Sequence, residues 1–181
     1  MSMRPLVSSV GRRIRSAVTL IRACLVSVCL IPPISYAQDV SPLTDSIRNV
    51  VLKTAPVSIE LTPKPGFAAT LQAARGGSGA VALALDGVEG TASQPVRINV
   101  FLNRPDAVPA TSDDDPNLLG FLYLIPRRGV VMRTGRAFDL TSVPDLDERR
   151  LTVTLVPVTG ERETPKDLSL TVAQIYVQRE Q

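Results

Sequence analysis

From Ala55 onward the chain is a series of short runs in which apolar and polar side chains alternate, punctuated by Pro, Gly and Asp. Alternation with a period of two gives a pleated strand two different faces, a pattern that does not fit a helix. Val57, Ile59 and Leu61 share one face, and Val81, Leu83 and Leu85 alternate with alanines in Ala80–Val88. Ile98, Val100 and Leu102 oppose Arg97, Asn99 and Asn103, while Leu151, Val153 and Leu155 oppose Thr152 and Thr154. Phe67–Ala74 reads as a further strand, ended by the loop Gly76-Gly77-Ser78-Gly79 between two strands. Leu118–Ile125 is apolar on both faces, which predicts a strand covered on both sides. In Leu168–Val177 the inward parity changes from Leu168, Leu170 and Val172 to Ile175 and Val177. One extra residue reverses a pleat, so a bulge or bend is expected near Ala173-Gln174. Six to eight strands with regular turn signals predict an all-β fold, an antiparallel, jelly-roll-like β-sandwich over residues 56–181.

The segment before the strands reads differently. Arg4, Arg12, Arg13, Arg15 and Arg22 precede or interrupt an apolar run ending at Ile31, followed by Pro32-Pro33 and Ser35-Tyr36-Ala37. Small residues at 35 and 37 suit signal-peptide cleavage, so residues 1–37 are expected to direct export, periplasmic or secreted, with the cut after Ala37. An uncleaved N-terminal membrane anchor is the competing reading, but Ala17–Ile31 is short for a hydrocarbon core of ~30 Å and contains Arg22. Residues 38–55 read as a linker or short helix, with Asp45 capping a turn through Lys53 and Ile47, Val50 and Val51 on one side.

This division changes the meaning of the charge. Five of the 20 basic residues fall in the first 37, where there is no acid, leaving 15 basic side chains against 17 acidic ones. A nucleic-acid partner is therefore not expected, because such binders gather Lys and Arg on a phosphate-neutralising stripe. Both cysteines, Cys24 and Cys29, lie inside the leader, so neither disulfides nor thiolate chemistry is expected afterwards, and no membrane partner is expected once the leader is cut.

The chain contains no histidine, which removes imidazole acid–base catalysis and imidazole metal ligation. Gly76-Gly77-Ser78-Gly79-Ala80 lacks the final glycine of a nucleophile elbow. Gly87 and Gly90 read as parts of a turn rather than a phosphate loop. Asp113-Asp114-Asp115 lacks the alternating spacing of a calcium loop and reads as a solvated turn, as do Asp145, Asp147 and Glu148. No catalytic residue, cofactor or metal site is expected, and the chain reads as a non-enzyme.

Three segments carry a family resemblance. Arg97-Ile98-Asn99-Val100-Phe101-Leu102-Asn103 resembles the strand opening the C-terminal domain of plant polyphenol oxidases. Asn117–Arg127, with Gly120 before an apolar strand and Pro126-Arg127 after it, resembles that domain's second landmark, although Arg127 stands where the family has histidine. Leu151–Val158 resembles its penultimate strand, with Leu168–Val177 following. In tyrosinases and polyphenol oxidases this domain is a β-sandwich lying over the mouth of the dicopper site. The resemblance implies a cap or maturation partner for a separately encoded tyrosinase-like copper oxidase. Phe101, Phe121 and Tyr123, with Arg127 and Arg128 at the rim, are the candidate partner-binding residues. The competing function is a structural or ligand-binding sandwich for carbohydrate or envelope material, which the absence of Trp disfavours.

Overall fold

The structure is a computed structural model that describes residues 41–143, 146, 149–160 and 162–180. The expected leader and the acidic turn at Asp145, Asp147 and Glu148 lie outside the described residues. Among the described residues, eight strands and one helix follow in the order β1 (Ile47–Leu52), β2 (Val57–Leu61), α1 (Phe67–Arg75), β3 (Ala80–Thr91), β4 (Val96–Leu102), β5 (Leu118–Leu124), β6 (Val130–Asp139), β7 (Leu151–Val158) and β8 (Ser169–Glu180). They form two antiparallel four-stranded sheets, ordered β1-β8-β3-β6 and β2-β7-β4-β5. Every connection except β4–β5 crosses between the sheets, and β1 pairs with β8, β2 with β7, β3 with β6 and β4 with β5. This nested pairing is the jelly roll expected from the strand pattern.

The alternating apolar residues meet between the sheets. Leu83, Leu85, Val172, Ile175 and Val177 from one sheet pack in a single core with Ile98, Val100, Val153 and Leu155 from the other. Apolar burial of this kind contributes about 25 cal/mol per Å² removed from water. Its interruption at regular intervals by outward polar residues is why the pattern was readable.

Two local expectations are reversed. Phe67–Ala74 is helix, not strand: α1 sends Phe67, Leu71 and Ala74 into the core, an i, i+4, i+7 spacing set in alanine-rich sequence. Its end is closed by Gly76 and Gly77, whose amides donate to the carbonyls of Gln72 and Ala74, so the glycine loop joins a helix to β3. Conversely, the expected helix from Asp45 through Lys53 is the edge strand β1, paired with β8.

One cause explains both that error and the parity change in β8. The register of β1 on β8 and of β8 on β3 is unshifted from end to end, yet all three strands change their buried face at the same level. Buried or half-buried residues are three apart there, Ile47 and Val50, Val172 and Ile175, Leu85 and Val88. The row crossing the sheet at that level is Asn49, Ala173 and Gly87, with Asn49 at φ 55° and Gly87 at φ 62°. The expected bend is thus shared by three strands rather than bulged from one. Gly87 is needed twice over, since a Cβ there would lie 2.7 Å from the Ala173 methyl. Gly87 and Gly90 therefore sit inside β3, not in a turn, and the irregularity is absorbed against β6, where the register shifts between Leu85 and Val88.

Candidate functional site

The candidate residues gather on the outer face of the β2-β7-β4-β5 sheet. Because Ile98, Val100, Leu122 and Leu124 point into the core, β4 turns Arg97, Asn99 and Phe101 outward, and β5 does the same with Phe121 and Tyr123. Register places Arg97 between Tyr123 and Val158, and Asn99 between Phe121 and Val156.

Half of this face is covered. The segment from Asn103 to Asn117 folds back as a strap and buries Ala107 against Phe101, Val156 and Val158, with Leu118 packed beside them. Phe101 is 0% exposed, which corrects its assignment as a contact residue: its outward direction leads under the strap, not to solvent. Arginines pin the strap. Arg97 donates to both carboxylate oxygens of Asp113 at 3.0 and 3.2 Å, Arg162 reaches the same carboxylate at 3.2 Å, and Arg104 approaches Asp115 at 3.4 Å. Slight burial pushes the Asp113 carboxyl up, but Arg97 and Arg162 outweigh it and hold the group below the ordinary aspartate value. Asp115 also accepts from the Asn117 amide at 2.9 Å, so two of the three consecutive aspartates serve the strap's own structure. Asn99 is fully buried on this face, and neither polar atom of its carboxamide finds a partner among the described residues. An orphaned buried amide costs about 1–3 kcal/mol.

The other half is open. The outer face is left open at Tyr123 and Ile125, so Leu118–Ile125 is not covered on both sides as its composition predicted; the strap extends over the Leu118 end alone. Tyr123 is 61% exposed and Ile125 74%. The Phe121 ring is half-buried, meeting Tyr123 edge-on at 5.0 Å between centroids, with the Arg97 guanidinium 5.5 Å above it. Arg136 of β6 crosses between the sheets to donate to the Phe121 carbonyl at 2.7 Å, which closes one backbone acceptor on the β5 edge.

Beyond Ile125 the chain reverses in a tight turn in which Arg127 and Val130 exchange backbone hydrogen bonds of 2.8 and 3.1 Å. Arg128 and Gly129 both have positive φ, 53° and 81°, the signature of a type I′ turn. A non-glycine residue held there costs of order 1 kcal/mol. The side chains of Arg127 and Arg128 are exposed and have no hydrogen-bond or ion-pair partner among the described residues. Val130 and Met132 continue the surface at 49% and 68% exposure. Of the six exposed large apolar residues described, four thus fall within residues 123–132, which marks this edge as unlike the rest of the surface. A cleft of about 220 Å³ opens beside it, lined by Val96, Arg97, Tyr123, Ile125, Val158 and Gly160 among others.

The structure therefore brings Phe121, Tyr123, Arg127 and Arg128 to one edge and removes Phe101 from it. Ile125, Val130 and Met132 were missed. Ile125 shares the parity of Tyr123, and that spacing was the available signal. β6, which carries Val130 and Met132, was not singled out because its polar and apolar residues do not alternate cleanly.

Polyphenol oxidases are among the solved structures that this fold resembles. Recombinantly expressed latent aurone synthase (polyphenol oxidase) matches with a TM-score of 0.54 at 25% identity, over 73% of this chain and 25% of that one. The same enzyme from natural source matches with a TM-score of 0.50 at 24% identity, over 70% and 25% of the two chains. Latent apple tyrosinase matches with a TM-score of 0.52 at 17% identity, over 74% and 27%. No protein-family model and no curated protein matches the chain. The likeness read in three strands thus holds in three dimensions: this is a β-sandwich of the kind that forms one portion of polyphenol oxidases and tyrosinases, and the chain spans about a quarter of their length. A dicopper centre does not fit these residues. The chain offers no imidazole, and among the described residues no three His, Cys, Asp or Glu side chains cluster as a metal site would require.

Proposed function

We propose that this chain is a non-catalytic sandwich that, after export and removal of residues 1–37, covers or assists the maturation of a separately encoded dicopper oxidase. The observation that carries the reading is the match of this sandwich to a quarter of latent aurone synthase, in a chain without a single histidine. A domain with that fold and no imidazole acts by surface fit. The open β5–β6 edge supports a protein partner over a glycan, since Tyr123 is the one strongly exposed aromatic side chain described and sugar sites use aromatic platforms.

The test is co-production with a tyrosinase-like oxidase encoded beside this chain, followed by affinity capture, copper analysis and phenol turnover. The expected result is a stable complex with altered copper loading or suppressed turnover. Absence of a complex, with copper content and turnover unchanged, overturns the proposal. Phenol oxidation by this chain alone overturns it as well.

A further inference from the structure

We infer that the β5–β6 edge receives an aromatic side chain flanked by carboxylates on the surface of a partner protein. The identity of that partner rests on the covering role proposed above; the chemistry of the face does not.

Three features define the occupant. The cleft beside Tyr123 and Ile125, about 220 Å³, is walled mainly by Val96, Tyr123, Ile125 and Val158. An apolar cavity of about 150 Å³ is enough to take up benzene, so one aromatic ring suits this space. The charge in its wall belongs to Arg97, which Asp113 already neutralises through two hydrogen bonds, so the cleft itself asks for no counterion. Two and three residues past Ile125, Arg127 and Arg128 carry positive charges that no carboxylate among the described residues meets, in a turn that accepts an unfavourable backbone conformation at Arg128. An apolar slot beside unpaired guanidinium groups complements an apolar knob beside carboxylates, which is how charge sets partner choice at interfaces.

The geometry also argues against strand addition as the mode of binding. Arg136 occupies the Phe121 carbonyl on the free edge of β5, so a pairing strand would meet a blocked acceptor there. Side-chain insertion needs no such acceptor.

The experiment is an NMR titration of the full isotope-labelled chain with three blocked pentapeptides, Glu-Glu-Phe-Glu-Glu, Lys-Lys-Phe-Lys-Lys and Glu-Glu-Gly-Glu-Glu. The acidic phenylalanine peptide is expected to give saturable shifts at Val96, Arg97, Tyr123, Ile125, Val158 and Gly160, with at least tenfold weaker binding for the other two. Ile125→Asp, and separately the pair Arg127→Glu and Arg128→Glu, should each weaken it at least tenfold while leaving the melting temperature unchanged. Saturable shifts elsewhere, no saturable shifts, or equal binding by the lysine peptide or by the variants overturns the inference. The same variants separate this inference from the covering role. If they bind the dicopper oxidase as tightly as the native chain, the face is wrong and the covering role stands. If the native chain binds the acidic peptide but not the oxidase, the face stands and the covering role falls.

Discussion

Phe101 and Tyr123 lie on neighbouring strands, point to the same side of the same sheet and differ completely in fate. Phe101 is sealed beneath the strap with Ala107 and Val156, while Tyr123 stands 61% exposed beside an open cleft. Phe101 lies on an alternating strand and Tyr123 on one that is apolar on both faces, yet their parity directs both outward, so periodicity is not what separates them. The separation comes from a polar segment, Asn103–Asn117, which covers one end of the face and stops. A single sheet face is thereby divided into a second small core and a surface left for something else.

The largest effect that would test this division is on stability. Phe101→Ala should destabilise the fold by about 3–5 kcal/mol, because it opens a cavity under the strap; urea unfolding measures it. An effect below ~1 kcal/mol would mean the strap does not hold a core. Next, Ala107→Asp places an unpaired charge in that core and should cost about 2–3 kcal/mol. Amide exchange should then accelerate first at Thr111 and Leu118, ahead of the β4 and β7 amides.

Asn99 offers a test with the opposite sign. Its carboxamide is buried without a partner, so Asn99→Val should stabilise the chain by about 1 kcal/mol in thermal unfolding. A loss of stability would mean that the amide is satisfied.

The acid response is smaller. The folded state holds the Asp113 carboxyl below its ordinary value, so folding disfavours its protonation. The stability it contributes is therefore complete above the unfolded-state value of about 3.9 and is lost as pH falls through the lowered folded value. Since the side chain is 37% exposed, solvent and salt limit the contribution; Asp113→Asn should cost no more than about 1 kcal/mol at pH 7. Its urea midpoint should fall less steeply than that of the native chain as the pH drops through that lowered value. Smallest of all, Tyr123→Ala should change stability by no more than about 0.5 kcal/mol, while its loss from the cleft should weaken the acidic phenylalanine peptide severalfold.

Where residues 56 onward alternate cleanly, the strand and its inward face were legible, as in β2, β4 and β7. The failures share a physical origin. Asn49, in a left-handed conformation, turns two strand faces into residues spaced by three, which imitates a helix in β1. Phe67, Leu71 and Ala74 carry true helical spacing, but short apolar runs are ambiguous between the two periods and the surrounding strands favoured the wrong one. The candidate site divided in the same way. Tyr123, Arg127 and Arg128 lie at an accessible edge, whereas Phe101 was placed with them because direction along a strand does not reveal what covers it.

Taken alone, the order of residues determined the class of fold, the inward residues of the regular strands and the absence of imidazole chemistry, since each follows from local periodicity or from a count of side chains. Only the tertiary structure decided that three strands bend together at Asn49, Ala173 and Gly87, that the strap hides Phe101, that the Asn99 carboxamide is buried without a partner among the described residues, and that Ile125 and Met132 are exposed. Those outcomes depend on contacts between segments far apart in the chain, and such contacts leave no periodic trace in any one of them.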